Sequence, residues 1–498
     1  MPRSPHQRPV KRRDGTAGLS RRVALLWCFM DNDSSSRIVA ALKQWIPGAA
    51  PGARLPSTRS LVAKYQASPV TVQKALQVLN AEGLIESRPG VGTFVRAART
   101  ARPSDYGWQT AALRSPSSPL PAASSTMRTV PNDAVSFLSG YPDRELLPER
   151  LVRGALSRAA RGDAALSRPP AAGMPELQQW LAHELGTSTP GGFTPPTPSD
   201  VIVLPGSQSG LSSIFRALVG SGQPLLMESP TYWGAILAAA QAGVRVVPVP
   251  SGPDGPHPAD LARAFEESGA RVFYAQPNYA NPTGAQWAPG RGDEVLEVVR
   301  GFGGFLVEDD WAHDFGITSD PVPVASRDDS GHVIYIRSLT KSVSPAIRIA
   351  AVIARGPARE RILGQRAAES MYVSGLLQAS ALDVVTQPGW QTHLRSLRHQ
   401  LQSRRDLLVA SVRQHVPQAH LSQLPKGGLN LWLRLPDGTD LARLSRDCED
   451  AGVYIAAGTE WFPAEPAGPF IRLNFAGPNP GAYPEGARVI GEALLKQD

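Results

Sequence analysis

Cysteine is nearly absent from this chain. Cys28 and Cys448 are the only two, they lie far apart, and neither has metal-ligand spacing around it. That argues against a disulfide framework or a zinc site, leaves no metal expected, and points to a reducing compartment, the cytoplasm. Long apolar runs are missing too. Val23–Met30 follows a basic tail as the core of a signal peptide would, but it is eight residues long and closes on Asp31-Asn32-Asp33 with no small-residue cleavage site. A membrane-spanning helix takes about 20 apolar residues, so the chain is read as neither secreted nor membrane-embedded. Lysine is the third scarcity. Of 51 basic residues only seven are lysines, at positions 11, 43, 64, 74, 341, 426 and 496.

A lysine kept amid such a bias toward arginine points to a need for an amine, which can lose its proton and attack a carbonyl. Lys341 lies in Ser338-Leu339-Thr340-Lys341-Ser342, directly after Val333–Ile336, an apolar stretch that reads as a buried strand. An amine at a strand end beside small hydroxyl residues suits a Schiff-base lysine for an aldehyde cofactor. From this residue alone a solvated loop lysine is the better reading; the rest of the chain changes that.

The chain is too long for one core, and its 42% apolar and 19% charged residues fit a folded protein of two or more domains. The formal charge of +8 is unevenly placed. Residues 1–22 carry seven positive and one negative side chain, residues 31–96 eight and four, and the residues beyond 96 are slightly negative in sum. A polyanion-binding N-terminal module on a near-neutral body is expected.

Ser36–Ile46 has apolar residues at helical spacing, with serines to cap it. After a Pro/Gly break, Ser57 caps a predicted helix from Thr58 to about Tyr65, and Ser68 caps another from Pro69 to about Glu82, with Pro at its first position. A connection of about three residues between them is helix-turn-helix geometry. Gly83–Ser87 and Thr93–Arg96, joined by a turn at Arg88–Gly92, read as a two-stranded wing. Leu55–Arg59, Val72–Leu76 and Glu82–Val95 resemble the winged helix of GntR-family regulators along its whole length. The resemblance implies double-stranded operator DNA as partner, faced by Arg59, Ser68, Thr71, Lys74 and the wing residue Arg88, with Gly90 and Gly92 shaping the wing. Plain turn glycines explain the last two almost as well. The expected organisation is a basic disordered tail (1–30), a winged helix-turn-helix domain (31–96), a linker rich in Pro, Ser and Ala (97–132) and a large domain (133–498).

In the large domain short apolar runs alternate with helical stretches, which predicts an α/β fold with a mainly parallel sheet and a ligand beyond the C-terminal strand ends. Five clusters fall at such ends. They are Ser207 and Gln208 after Val201–Leu204, Tyr232 after Pro224–Met227, Asn281 after Arg271–Tyr274, Asp309 to Trp311 after Gly304–Val307, and Ser338 to Lys341 after Val333–Ile336, with Arg348 seven residues on. Together they form a set of donors for pyridoxal 5′-phosphate: lysine for the aldehyde, a carboxylate for the ring nitrogen, an aromatic to stack on the ring, and Ser338, Arg348 and helix amides for the phosphate.

The order of these clusters, with Asn281-Pro282-Thr283-Gly284 and Ser338-x-x-Lys341 as the specific part, resembles fold-type-I aminotransferases of class I/II over nearly all of residues 133–498. The resemblance implies Asp309 as pyridinium partner, Asn281 on the phenolic oxygen, and Arg472 of Phe470–Phe475 as clamp for an amino-acid carboxylate. Two positions depart from the pattern: Trp311 stands where an aromatic hydroxyl is usual, and Arg168 where a Tyr usually reaches the neighbouring subunit's phosphate. The whole chain resembles MocR-type regulators, which implies a homodimeric, DNA-binding transcription regulator that senses a small amino compound by external aldimine formation at Lys341. The rival reading is a working transaminase with an appended DNA-binding domain; Trp311 weighs toward sensing.

Overall fold

The computed structural model describes residues 34–96, 107–113, 121, 124–131 and 133–497. The expected tail over 1–30 and most of the expected linker lie outside the described residues. The chain divides into two units, Met1–Ser115 and Pro116–Asp498.

In the first unit a helix over 34–45 is followed by helices Thr58–Tyr65 and Pro69–Ala81. Both start where the sequence placed them, because Ser57 Oγ accepts from Ser60 N and Ser68 Oγ accepts from Thr71 N, which satisfies amides that a helix start leaves bare. Ile38, Leu42, Leu61, Val72, Ala75, Leu79 and Ile85 close one small core. Strands Ile85–Arg88 and Gly92–Val95 pair antiparallel, Ile85 opposite Val95 and Arg88 opposite Gly92, which makes the wing. Gly90 and Gly92 have φ of +73° and +142°, a region that L side chains enter only with strain.

The second unit is α/β. Its eight-stranded sheet runs, by position, Val201–Leu204, Ala350–Ile353, Val333–Ser338, Phe305–Asp310, Val272–Ala275, Pro224–Ser229, Arg245–Gly252, Gly255–Pro256. The five strands from Val333–Ser338 to Arg245–Gly252 are parallel. Ala350–Ile353, which the apolar pattern did not single out, lies antiparallel to both its neighbours and joins Val201–Leu204 to the rest. Apolar side chains fill the layers on the sheet's two faces. A smaller antiparallel sheet, including Asn430–Arg434 and Phe470–Asn474, packs with helices Pro388–His415 and Tyr483–Leu495 around a further core.

Two differences from the sequence pattern bear on the site. The strands Phe305–Asp310 and Val333–Ser338 continue past the point where apolar residues stop, because Asp309, Asp310 and Ser338 are buried and paired within the sheet. Residues 124–130, expected in the linker, belong to the large unit: Ser124 is buried, and Arg128 pairs with Glu449 at 2.5 and 3.0 Å.

Candidate functional site

The C-terminal ends of the parallel strands open onto a small cavity of about 50 Å³ lined by Tyr141, Ser207, Gln208, Tyr232, Gln276, Asn281, Asp309, Trp311, Ser338, Thr340, Lys341 and Arg348. Nine of these twelve were expected from the sequence; Tyr141, Gln276 and Thr340 were not. The adjacency follows from topology, since parallel strands deliver their C-terminal ends to one edge whatever their separation in sequence.

Lys341 Nζ sits 4.0 Å from the centre of the Trp311 ring and 5.6 Å from that of Tyr141. Burial pulls its pKa down to about 7, the charge of Arg472 adding to the fall and Asp309 opposing it. Near neutral pH much of the amine is therefore free of its proton, the form that attacks an aldehyde.

Asp309 Oδ2 accepts from Tyr274 Oη at 2.8 Å and from Gln276 Nε2 at 2.9 Å, while Oδ1 is buried with no partner. Burial raises this carboxyl's pKa; the bonds from Gln276 and Tyr274 and the charge of Lys341 hold it down. Gln276 also takes Asn281 N on its Oε1 at 2.8 Å, so one side chain sets the carboxylate and the asparagine in register. Its signal in the sequence was only its place after a strand end. Tyr232 Oη donates to Gln208 Oε1 at 3.1 Å, and Gln208 Nε2 donates to Gly234 O at 2.7 Å.

At the other end of the cavity Ser207 begins helix Ser207–Leu218, and its Oγ is buried without a partner. Gly206 has φ +95°, and a Cβ there would come within 3.0 Å of Arg348 Nη2. Arg348 itself adopts φ +48°, an unfavourable backbone for arginine. Ser338 Oγ accepts from Thr340 N at 3.3 Å.

Arg472 is fully buried and, unlike the other expected cofactor residues, does not line the cavity. Its Nη1 donates to Asn281 Oδ1 at 3.2 Å and its Nη2 to the carbonyls of Leu138 and Ser139 at 2.5 and 3.1 Å, while Nε has no partner. Burial lowers its pKa to about 10. Trp311 Nε1 is also buried and unpaired. Arg168 is exposed and does not line the cavity.

These donors fit pyridoxal 5′-phosphate on structural grounds. The unpaired Oδ1 of Asp309 suits a pyridinium N–H. The unpaired Ser207 Oγ, the helix start and Arg348 suit a phosphate, and Lys341 supplies an amine between them.

On the small unit, Arg59 and Lys74 are exposed on the second and third helices. Arg88 is exposed at the wing, bonded to Glu86 Oε1 at 3.0 Å and lying 5.0 Å over the Phe94 ring. Ser68 is exposed as the N-cap of the third helix, and Thr71 is buried with its hydroxyl 2.8 Å from Ser68 Oγ. Val70, Gln73, Lys74 and Gln77 are among the exposed residues of that helix.

Residues 138–490 match the model of class I and II aminotransferases, and residues 34–95 that of bacterial regulatory proteins of the gntR family. The chain belongs to the class I and II aminotransferase family. It carries a GntR-type helix-turn-helix domain ahead of the family's fold. A probable rhizopine catabolism regulatory protein, MocR, of Rhizobium meliloti is 29% identical over 449 residues, covering 89% of each chain. The transcriptional regulator TauR of Rhodobacter capsulatus is 27% identical over 456 residues, 89% of this chain and 92% of that one. Among solved structures, an α-aminoadipate aminotransferase of Thermus thermophilus, complexed with N-(5′-phosphopyridoxyl)-L-leucine, superposes with a TM-score of 0.68 at 26% identity, over 75% of this chain and 95% of that one. The family match and this complex indicate pyridoxal 5′-phosphate as the cofactor.

Proposed function

We propose that this protein is a pyridoxal-phosphate-dependent, DNA-binding transcription regulator that senses a small amino compound. The observation that carries the reading is the union in one chain of a GntR-type domain and an aminotransferase fold, a layout that the relatives named as transcriptional regulators match over nearly their whole length. Its partner is double-stranded operator DNA, met by Arg59, Ser68, Thr71, Lys74 and Arg88. Two copies of the chain would read two half-sites, with Arg168 reaching the neighbouring copy's phosphate site, and the protein would work in the cytoplasm.

The cofactor supplies an electrophilic carbonyl and an electron-withdrawing ring when bound. The chain does the rest. Lys341 would offer its neutral amine, Asp309 Oδ1 would hold the ring nitrogen, Asn281 the phenolic oxygen and Tyr232 the ring face, while Ser207, the amide of Gln208, Ser338 and Arg348 would hold the phosphate. Trp311 can receive the Lys341 ammonium on its ring face but offers no basic atom to take a proton. Arg472 meets the compound's carboxylate by sharing its Nη1 with Asn281. Occupancy of this site and of the operator is then linked, each biasing the other's affinity.

A working aminotransferase is the second reading, favoured by the complete set of Lys341, Asp309, Asn281 and Arg348. The test has two arms. Purified protein should show the visible absorption of bound pyridoxal phosphate, and footprinting of its own upstream region should show protected half-sites weakened by Arg59→Ala. No protection combined with rapid keto-acid turnover would establish the enzyme instead.

A further inference from the structure

The third helix of the small unit, Pro69–Ala81, uses the hydroxyls of its first turn internally. Ser68 Oγ accepts from Thr71 N at 3.1 Å and lies 2.8 Å from Thr71 Oγ1, and Thr71 is buried. What that turn shows to solvent is apolar. Pro69 is exposed, and Val70 is 77% exposed, more than any other large apolar residue described in the small unit. One helical turn on from Val70 stands Gln73, which is exposed as well.

Residues three apart on a helix share a face, with Cβ atoms about 5–6 Å from each other. Base pairs stack at about 3.4 Å, so in a major groove Val70 and Gln73 would span two or three neighbouring pairs. The surroundings suit such a polyanion, because Arg59, Lys74 and Arg88 are all exposed on the same small unit. In that groove thymine offers a methyl group, adenine an acceptor and a donor that an amide meets with two bonds, and guanine two acceptors that suit arginine or lysine. From Ser68 to Glu82 there is no arginine, and Lys74 is the one cation. Lys74 points about 100° away from Gln73 around the helix axis, which leaves it for the phosphates along the groove wall.

We propose that Val70 and Gln73 are the residues that select the operator sequence, and that they select A·T base pairs. The Val70 methyl groups pack on the methyl of a thymine. The Gln73 amide donates through Nε2 to the N7 atom of an adenine and accepts at Oε1 from its amino group, one or two pairs away. Arg59, Lys74 and Arg88 add affinity that does not depend on sequence. The inference rests on the regulator reading and deepens it, naming the chemistry of the DNA that the small unit prefers.

The experiment uses the full-length protein loaded with pyridoxal phosphate. Duplexes that it retains from a random-sequence pool are sequenced, and the commonest is rebuilt with single-group changes. The retained half-sites should share two A·T pairs within three base pairs. Uracil in place of the contacted thymine removes only the methyl; it should weaken binding about fourfold and cost Val70→Ala nothing further. 7-Deazaadenine in place of the contacted adenine removes the N7 acceptor; it should weaken binding about fivefold and cost Gln73→Ala nothing further. Lys74→Ala should weaken all sequences alike. All three side chains are exposed, so each variant should keep the parent's melting temperature, and the altered bases test the unmodified protein independently of any variant. A guanine required in that window and made dispensable by Lys74→Ala would overturn the proposal. So would altered bases that leave the parent's binding unchanged, or that weaken parent and variants equally. Enrichment of no sequence at all would overturn the regulator reading with it, whereas an enriched site contacted in another way would leave that reading standing.

Discussion

The two units use positive charge in opposite ways. On the winged helix Arg59, Lys74 and Arg88 stand exposed to water. In the large unit Lys341 and Arg472 are drawn out of water, and burial lowers the pKa of both. A solvated cation steers a polyanion and is sensitive to salt. A desolvated amine becomes a nucleophile instead. In the proposed roles, the same formal charge serves attraction in one unit and covalent chemistry in the other.

The largest way to break this contrast is Lys341→Ala. It should abolish the visible absorption of the captured cofactor while leaving the winged helix able to bind operator DNA, as read by spectrum and footprint on one preparation. Next is Asp309→Asn, which removes the carboxylate from the ring nitrogen; pyridoxal phosphate affinity, by equilibrium dialysis, should fall by about a hundredfold. The pH dependence sharpens the same side. Because the Lys341 pKa is lowered to about 7, the reactive neutral amine gains as pH rises through that value. The rate of cofactor capture by the apoprotein should climb about tenfold from one unit below to one unit above, then level off. On the exposed side, Arg59→Ala should weaken operator binding about tenfold across sequences and lower the salt slope by about 1. A slope that stays unchanged would place Arg59 away from phosphate. The smallest effect belongs to Gly90→Ala, which forces an L residue to φ +73° at the wing; about 1 kcal/mol of strain should lower the small unit's melting temperature by about 4–8 °C.

The small unit was easier to read because its structure is local. Ser57, Ser68 and Pro69 mark helix starts through contacts within three residues, and Gly90 and Gly92 mark a turn through their own backbone. In the large unit the same logic found strands but misjudged their ends. The apolar pattern stops at Val307, yet the strand runs on to Asp310, since the polar residues that end the pattern are those buried to build the site. Ala350–Ile353 lies in the apolar run Ile349–Ala354, but its place between two antiparallel neighbours is set by the tertiary fold. Tyr141 carried no signal, and Gln276 none beyond its place after a strand end, for a like reason, their importance being a matter of what they touch.

What the sequence determined by itself was the inventory: a scarce lysine at a strand end, capped helices before a glycine-shaped wing, and a set of donors ordered along the chain. Each of these rests on spacing over a few residues, where backbone geometry is set by near neighbours. The tertiary structure decided proximity and solvation. It brought Asp309, Asn281 and Lys341 to one cavity, left Asp309 Oδ1 and Ser207 Oγ unpaired within it, put Trp311 under the amine, and fastened Ser124 to Glu460 across 336 residues of chain. Desolvation depends on everything that surrounds a group, so the lowered pKa of Lys341 exists only in the folded protein.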